Sequence, residues 1–250
     1  MDEWIWPVLL GGLGAIFGSF IATIVVRWPE GRSVLHGRSA CDGCGVVLAP
    51  RDLMPLVSAL VARGRCRRCG AAIDPRHWQI EAMALLTGVA AGIAVPGPVG
   101  IAGAVFGWLL LTLAALDVTD FWLPDPLTLT LALAGLATGV AGVEPPLNDR
   151  LIGGAAGFAS LWLIGFAYKR LRGREGLGGG DPKLLGAIGL WLGWAMLPAV
   201  LLLAAATGLA LVLIGIVRGR AARLDDKAPF GALLAIAAYP AWLFLLGFPR

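Results

Sequence analysis

Two aspartates stand where apolar runs meet polar loops. Asp117 closes one run, in Leu116-Asp117-Val118-Thr119-Asp120-Phe121-Trp122-Leu123-Pro124-Asp125. Asp181 ends a glycine-rich loop, Gly176-Leu177-Gly178-Gly179-Gly180-Asp181, and opens the next run. Ionisable groups at the edge of a membrane are costly to keep there, and function is the default reading. A pair of carboxylates can divide acid and base roles. One accepts a proton from water while the other, protonated, polarises a carbonyl. Two that share a site do not both ionise cheaply, so their protons belong to the pair. Lys183 and the adjacent helix end would favour the ionised form. Gly178 and Gly180 would let backbone approach a substrate closely and let the loop open for entry.

Neighbouring carboxylates compete for these roles. Asp120 is about one turn from Asp117 and can share its face, so chemistry alone does not separate the two. Its bland role is a solvated helix end. Asp125 follows Pro124 and would open a helix with its carboxylate near the positive end of the dipole. Glu81 reads either as a structural partner for nearby arginines or as a contact for a basic substrate.

These residues must be held by membrane helices. The chain has 250 residues, 58% hydrophobic and only 14% charged. A soluble domain is nearer half apolar and a quarter charged. The apolar excess is arranged in eight segments, near 4–26, 79–95, 98–116, 126–143, 151–168, 183–196, 198–217 and 230–248. The expected fold is therefore an all-α polytopic membrane protein of about eight transmembrane helices. A span needs roughly 20 apolar residues, with about 17 as the usual minimum, and the sixth segment is short. The start, Met1-Asp2-Glu3, is acidic and unlike a signal peptide, so the first span is expected to be uncleaved. Gly14 and Gly18 have the small-residue spacing of close helix packing. Gly12-Leu13-Gly14 has no preceding strand and is no dinucleotide fingerprint.

Charge orients the spans. With the N-terminus outside, residues 27–78 place nine Lys+Arg inside, 169–183 five and 218–227 four. Only Arg150 and Arg250 of the 20 basic residues fall outside. Fusing the sixth and seventh segments gives a poorer split, so the positive-inside rule favours eight spans. Both aspartates then lie at the cytoplasmic edge. The net charge of +4 is a topology signal, not evidence for nucleic acid.

Residues 27–78 form the one sizeable hydrophilic segment. The expected organisation is a first span at 1–26, this cytoplasmic insert at 27–78, and a seven-helix membrane domain at 79–250. All four cysteines lie in the insert, as Cys41-Asp42-Gly43-Cys44 and Cys66-Arg67-Arg68-Cys69. Two Cys-x2-Cys knuckles complete a tetrahedral site, and four thiolates leave no ligand position open for water, so a structural Zn2+ is expected. The reducing cytosol disfavours the alternative of two disulfides. Gly43, Gly45 and Gly70 suit the tight turns. His36 and His77 lie outside the knuckles. Arg63, Arg65, Arg67 and Arg68 are explained by anionic lipid on the cytoplasmic side rather than by nucleic acid.

Taken in order, these motifs resemble the bacterial type IV prepilin peptidases, which also process type II secretion pseudopilins and share a G-x-G-D motif with presenilin-type intramembrane proteases. Gly18-Ser19-Phe20 with Arg27-Trp28-Pro29 resembles the family's opening. The double Cys-x2-Cys insert follows, then Arg76 and Glu81 at the entry to the second span. Leu116-Asp117…Leu123-Pro124-Asp125 resembles the first aspartate motif, and Gly178-Gly179-Gly180-Asp181-Pro182-Lys183 the second. Pro229-Phe230-Gly231 is similar to the last signature. The resemblance selects Asp117 over Asp120, as the aspartate eight residues before that of Leu-Pro-Asp.

It implies a leader peptidase of the inner membrane. Such an enzyme cuts the basic leader of type IV prepilins or pseudopilins on the cytoplasmic face, after a glycine and before a hydrophobic helix. Asp117 and Asp181 are then catalytic, and Gly178, Gly180, Glu81 and Asp120 contact substrate. Glu175, Asp120 and Asp125 are the acidic candidates for reading the leader. Many members then methylate the new N-terminus with S-adenosyl-L-methionine. Ala22 stands where many bifunctional members have Asn, so the methyltransferase is implied less directly than the peptidase. The rival classes are a proton-coupled transporter using the same carboxylates and a non-enzymatic pilus or secretion assembly factor that docks through its insert.

Overall fold

The computed structural model describes residues 3–34, 37–41, 43–174, 176–219 and 228–247. His36 and Glu175, both singled out above, lie outside them, as does most of the basic loop 218–227. Among the described residues the fold is helical, with no strand beyond two isolated bridges, Ala40 to Val47 and Arg65 to Ala72. Every apolar segment read from the sequence forms its own helix. They are α1 (Ile5–Arg27), α3 (Arg76–Ala94), α4 (Pro98–Asp120), α5 (Asp125–Val140), α6 (Leu147–Arg172), α7 (Asp181–Leu192), α8 (Leu197–Val217) and α9 (Phe230–Gly247). A short helix, α2 (Val57–Val61), lies in the insert.

Five of these are long and apolar enough to cross a membrane: α1, α4, α6, α9 and α8 with the short 3-10 turn before it. The chain is thus an all-helical multi-pass membrane protein, but the count of eight spans is not reproduced by length and composition. The helix α7 has only 12 residues, about 18 Å of helix against a hydrocarbon core of about 30 Å. The helix α3 opens on the polar stretch Arg76–Glu81. The break between the sixth and seventh segments is real. Gly193 takes φ +71°, a left-handed conformation that costs glycine little, and a 3-10 turn at Trp194–Met196 precedes α8.

The chain divides into two compact units, residues 1–112 and 113–250. In the first, α1 and α3 run antiparallel with backbones nearly touching. A Cβ at Gly18 would lie 2.7 Å from Glu81 Cα, and one at Gly14 would lie 2.2 Å from the Ala84 carbonyl oxygen. This is the small-residue packing expected of Gly14 and Gly18, where helices that share one apolar solvent gain by close approach. Trp108 caps the pair by donating its indole N–H to the Ala84 carbonyl (2.9 Å).

In the second unit α7 is the core, buried along most of its length. The helix α6 packs antiparallel on it, with Gly153 against Gly189 and Gly157 against Leu185. The helix α5 runs parallel to it. Lys183 bonds Asp125 at one end (2.7 Å), and Trp191 donates to the Leu131 carbonyl further along (2.8 Å). The end of α4, the start of α7 and the start of α9 therefore come to one end of the unit.

Candidate active site and metal centre

Asp117 and Asp181 meet at that end. Each is buried, 6% exposed. Asp117 sits in the last turn of α4, and the Ala232 amide at the start of α9 donates to its Oδ2 (2.8 Å). Asp181 is the first residue of α7 and accepts from the Gly178 amide through its own Oδ2 (3.1 Å). Its other oxygen turns to Asp117. A side chain at Gly231 would lie 3.0 Å from Asp117 Oδ2 and 3.2 Å from Asp181 Oδ1. The two oxygens are thus at most about 6 Å apart.

Glycine suits this point because a Cβ between the carboxylates would press on both oxygens and on the tip of Leu123. Leu123, from the Leu-Pro-Asp stretch, closes the remaining side. Its Cδ1 would lie 2.7 Å from a Gly231 Cβ, and its Cβ 2.8 Å from one at Gly180. Sequence reasoning singled out Gly231 only as part of a motif and gave Leu123 no role of its own. The signal for Gly231 was its place at the head of an apolar run, as for Asp181, but nothing in the pattern aimed it at the aspartates.

The other candidates are placed differently. Gly178 belongs to the site through its amide, and Gly180 packs on Leu123. Gly179 faces open space. Asp120 is exposed and takes the Thr119 hydroxyl as donor. Asp125 is exposed in the first turn of α5, at the helix start where it was expected. Lys183 is committed to Asp125 rather than to Asp181, because its long stem carries the ammonium out of the buried site into an exposed ion pair. Glu81 is buried in α3, and its carboxylate accepts from the Leu56 amide of the insert (2.8 Å). Its partner among the described residues is thus insert backbone rather than an arginine.

Arg150 was read from sequence as an outer-loop charge, but its side chain is 1% exposed. Its guanidinium donates to the carbonyls of Gly135, Val143, Glu144, Pro145 and Leu190, and to the Thr138 hydroxyl. The five donors of the fork suit the carbonyls of Val143, Glu144 and Pro145, where the chain turns from α5 into α6, and reach those of Gly135 in α5 and Leu190 in α7. It ties α5, α6 and α7 together at the end away from the aspartates.

In the first unit the four cysteines are free and gathered. Their sulfurs all lie within 4.8 Å of one another, and those of Cys41 and Cys69 are 3.8 Å apart. A tetrahedral ion with sulfur ligands at about 2.3 Å has edges of about 3.8 Å. The donor set of Cys41, Cys44, Cys66 and Cys69 therefore fits a metal ion. The two knuckles are built alike. Gly45 donates to the Cys41 carbonyl and Gly70 to that of Cys66, both glycines at left-handed φ (+69° and +74°). The amides of Cys69 and Arg68 bring the Cys66 thiol down to about 7. The Ala71 amide lowers Cys69, but the sulfurs of Cys44, Cys66 and Cys41 and burial outweigh it and push that thiol up to about 11. Four thiols packed this closely cannot all ionise without a cation among them.

The sequence profile of the "Type IV leader peptidase family" matches residues 104–213, which include both aspartates. That of the "Bacterial Peptidase A24 N-terminal domain" matches residues 13–95, which include the four cysteines. The chain belongs to the type IV leader peptidase family. Its relatives include a protein of Aeromonas salmonicida (strain A449), 42% identical over 97% of this chain and 91% of its own length. Another, from Burkholderia pseudomallei (strain K96243), is 40% identical over 89% of this chain and 80% of its own length. A third, from Klebsiella pneumoniae, is 40% identical over 80% of this chain and 91% of its own length. All three are named "Prepilin leader peptidase/N-methyltransferase". No solved structure matches the chain. As a member of this family, the protein is a multi-pass protein of the bacterial inner membrane.

Proposed function

We propose that this protein is a prepilin leader peptidase that works through Asp117 and Asp181. The single observation that carries the reading is the convergence of the two buried carboxylates on Gly231. With one proton shared between them, one carboxylate takes a proton from water as its oxygen attacks the scissile carbonyl carbon. The other donates its proton to the carbonyl oxygen. Collapse of the tetrahedral species breaks the C–N bond, and the leaving nitrogen takes up a proton from the pair. The amides of Ala232 and Gly178 hold the two carboxylates in place, so no reorganisation is needed at the reacting centre.

The relatives' names support prepilins as substrates, with pseudopilins proposed beside them, and the shape of the second unit is consistent with that class. An apolar groove of about 760 Å³ starts at Asp125 and Lys183 and runs past Gly154, Gly186 and Phe158 to Leu190. It suits the hydrophobic helix that follows a cleavage site. Gly178 and Gly180 would face the unwound segment, with Asp120 and Glu81 as further contacts. The basic residues Lys169, Arg170 and Arg172 in the last turn of α6, with Lys183, gather at the aspartate end of this unit. That asymmetry supports a catalytic face in the cytoplasm, and eight spans with a cytoplasmic insert are the topology proposed with it. The cysteine cluster would hold one structural Zn2+, which would lock the two knuckles together. The relatives' names extend the reading to N-methylation of the new N-terminus, with S-adenosyl-L-methionine as donor.

The test is mass spectrometry of a prepilin peptide incubated with the reconstituted protein, with and without S-adenosyl-L-methionine. The expected result is one cut after the leader glycine under both conditions, with methyl addition only in the presence of the donor. An intact peptide under both conditions overturns the peptidase reading. Cleavage without methyl addition removes the methyltransferase alone.

A further inference from the structure

The hydrophilic insert carries one segment out of keeping with the rest. Between Leu53 and Val61 five large apolar side chains are exposed: Leu53, Met54, Val57, Leu60 (78%) and Val61 (65%). Clustered apolar surface of this kind marks a contact with another phase or partner. These residues belong to no membrane-crossing helix, so lipid contact along a span does not explain them.

Their depth does. Leu56, in the middle of the segment, takes φ +61°, and the Val57 amide closes a tight turn on the Pro55 carbonyl (2.6 Å). This unfavourable turn is pinned by the Leu56 amide donating to Glu81. Glu81 is not at the end of α3. It lies five residues beyond Arg76, about 7.5 Å along the helix. It also packs against Gly18 of α1, nine residues before that helix ends at Arg27. The insert thus folds back, and the backbone of the segment at Leu56 lies within reach of the Glu81 side chain, short of the end of α3. Interfacial elements sit about 5–10 Å into the headgroup and acyl boundary. Arg51, Arg63 and Arg65 flank the segment and are all exposed, which matches the charge of anionic headgroups.

We infer that residues 53–61 are an interfacial membrane element, seated in the headgroup and acyl boundary of anionic phospholipid and coupled to α3 through Glu81. The insert is then anchored to the bilayer surface at a fixed depth and is not a freely solvated domain. A partner protein or a second copy on the same patch would be a different account, and the experiment separates them.

The full chain, reconstituted in liposomes of phosphatidylethanolamine and phosphatidylglycerol, would carry a photoreactive p-benzoylphenylalanine at Leu60 or at Val57. Ser39, exposed elsewhere in the insert, is the control. Thermal melts would first establish that each variant is folded. After irradiation and intact mass spectrometry, phospholipid adducts are expected at positions 57 and 60, at least tenfold above position 39. Adducts no more frequent than at the control overturn the inference, as does cross-linking to a second copy or to an added prepilin in place of lipid. The readout is independent of peptidase activity, so its failure leaves the functional reading untouched.

Discussion

Gly231→Ala tests the catalytic geometry without removing either carboxylate. The new methyl would sit 2.7 Å from Leu123 Cδ1, 3.0 Å from Asp117 Oδ2 and 3.2 Å from Asp181 Oδ1. Leu123 can swing aside, since the contact is at the far end of a flexible side chain. The carboxylates cannot yield as easily, because the Ala232 and Gly178 amides hold them. Each must retreat by a few tenths of an ångström, which breaks the registration with an attacking water. Misplacement of about 1 Å costs about a hundredfold in rate, so a few tenths of an ångström should lower kcat by roughly three- to tenfold. Overpacking a fitted site costs about 1–3 kcal/mol in stability, enough to register in a melt but not to unfold the protein. Gly179→Ala is the matched control, because its methyl would meet nothing within 4 Å. The assay is cleavage of a prepilin peptide by each purified variant in the same lipid. Wild-type kcat for Gly231→Ala, or equal losses in Gly231→Ala and Gly179→Ala, would refute the reasoning.

Three further outcomes follow from the geometry. Protein purified under reducing conditions should contain one zinc per chain, and Cys66→Ser should lose it; elemental analysis finding none contradicts the metal centre. Arg150→Ala removes a shared donor from five carbonyls, most of them part-buried, and should destabilise the protein by about 3 kcal/mol. Arg150→Lys should recover little of this, since an ammonium cannot reproduce the fork, and a wild-type melt in either variant would contradict the clamp. Lys183→Ala removes an exposed ion pair worth less than about 1 kcal/mol. The kcat for cleavage should stay within about twofold of wild type; a large fall in kcat, as distinct from a rise in KM through the groove that Lys183 borders, would show that Lys183 acts on Asp181 after all.

Much of this was legible in the sequence because its causes are local. Long apolar runs form helices wherever they occur, so all eight segments could be bounded. Paired Cys-x2-Cys turns bring sulfurs together through their own backbone hydrogen bonds. Asp117 could not be separated from Asp120 by chemistry, since one turn of helix puts both near the same face. Only packing decides that Asp117 is buried and Asp120 is not. The site's other half was hidden for the same reason. Gly231 lies 114 residues from Asp117 in the chain, and its contact with the carboxylates is set by how α9 meets α4 and α7. Arg150 looked like a topology charge because a lone arginine between apolar runs usually is one. Its burial depends on carbonyls from three separate stretches that converge only in the fold. Lys183 misled in the opposite sense, as its nearness to Asp181 in the chain is undone by the outward direction of its side chain.

The central claim is that Asp117 and Asp181 act together on one peptide bond. Asp117→Asn and Asp181→Asn change shape little while each removes one ionisable group. Prepilin cleavage by each variant, measured in membranes containing equal amounts of inserted protein, tests the claim most directly. Either change alone is expected to abolish processing. Normal processing by either variant would contradict it.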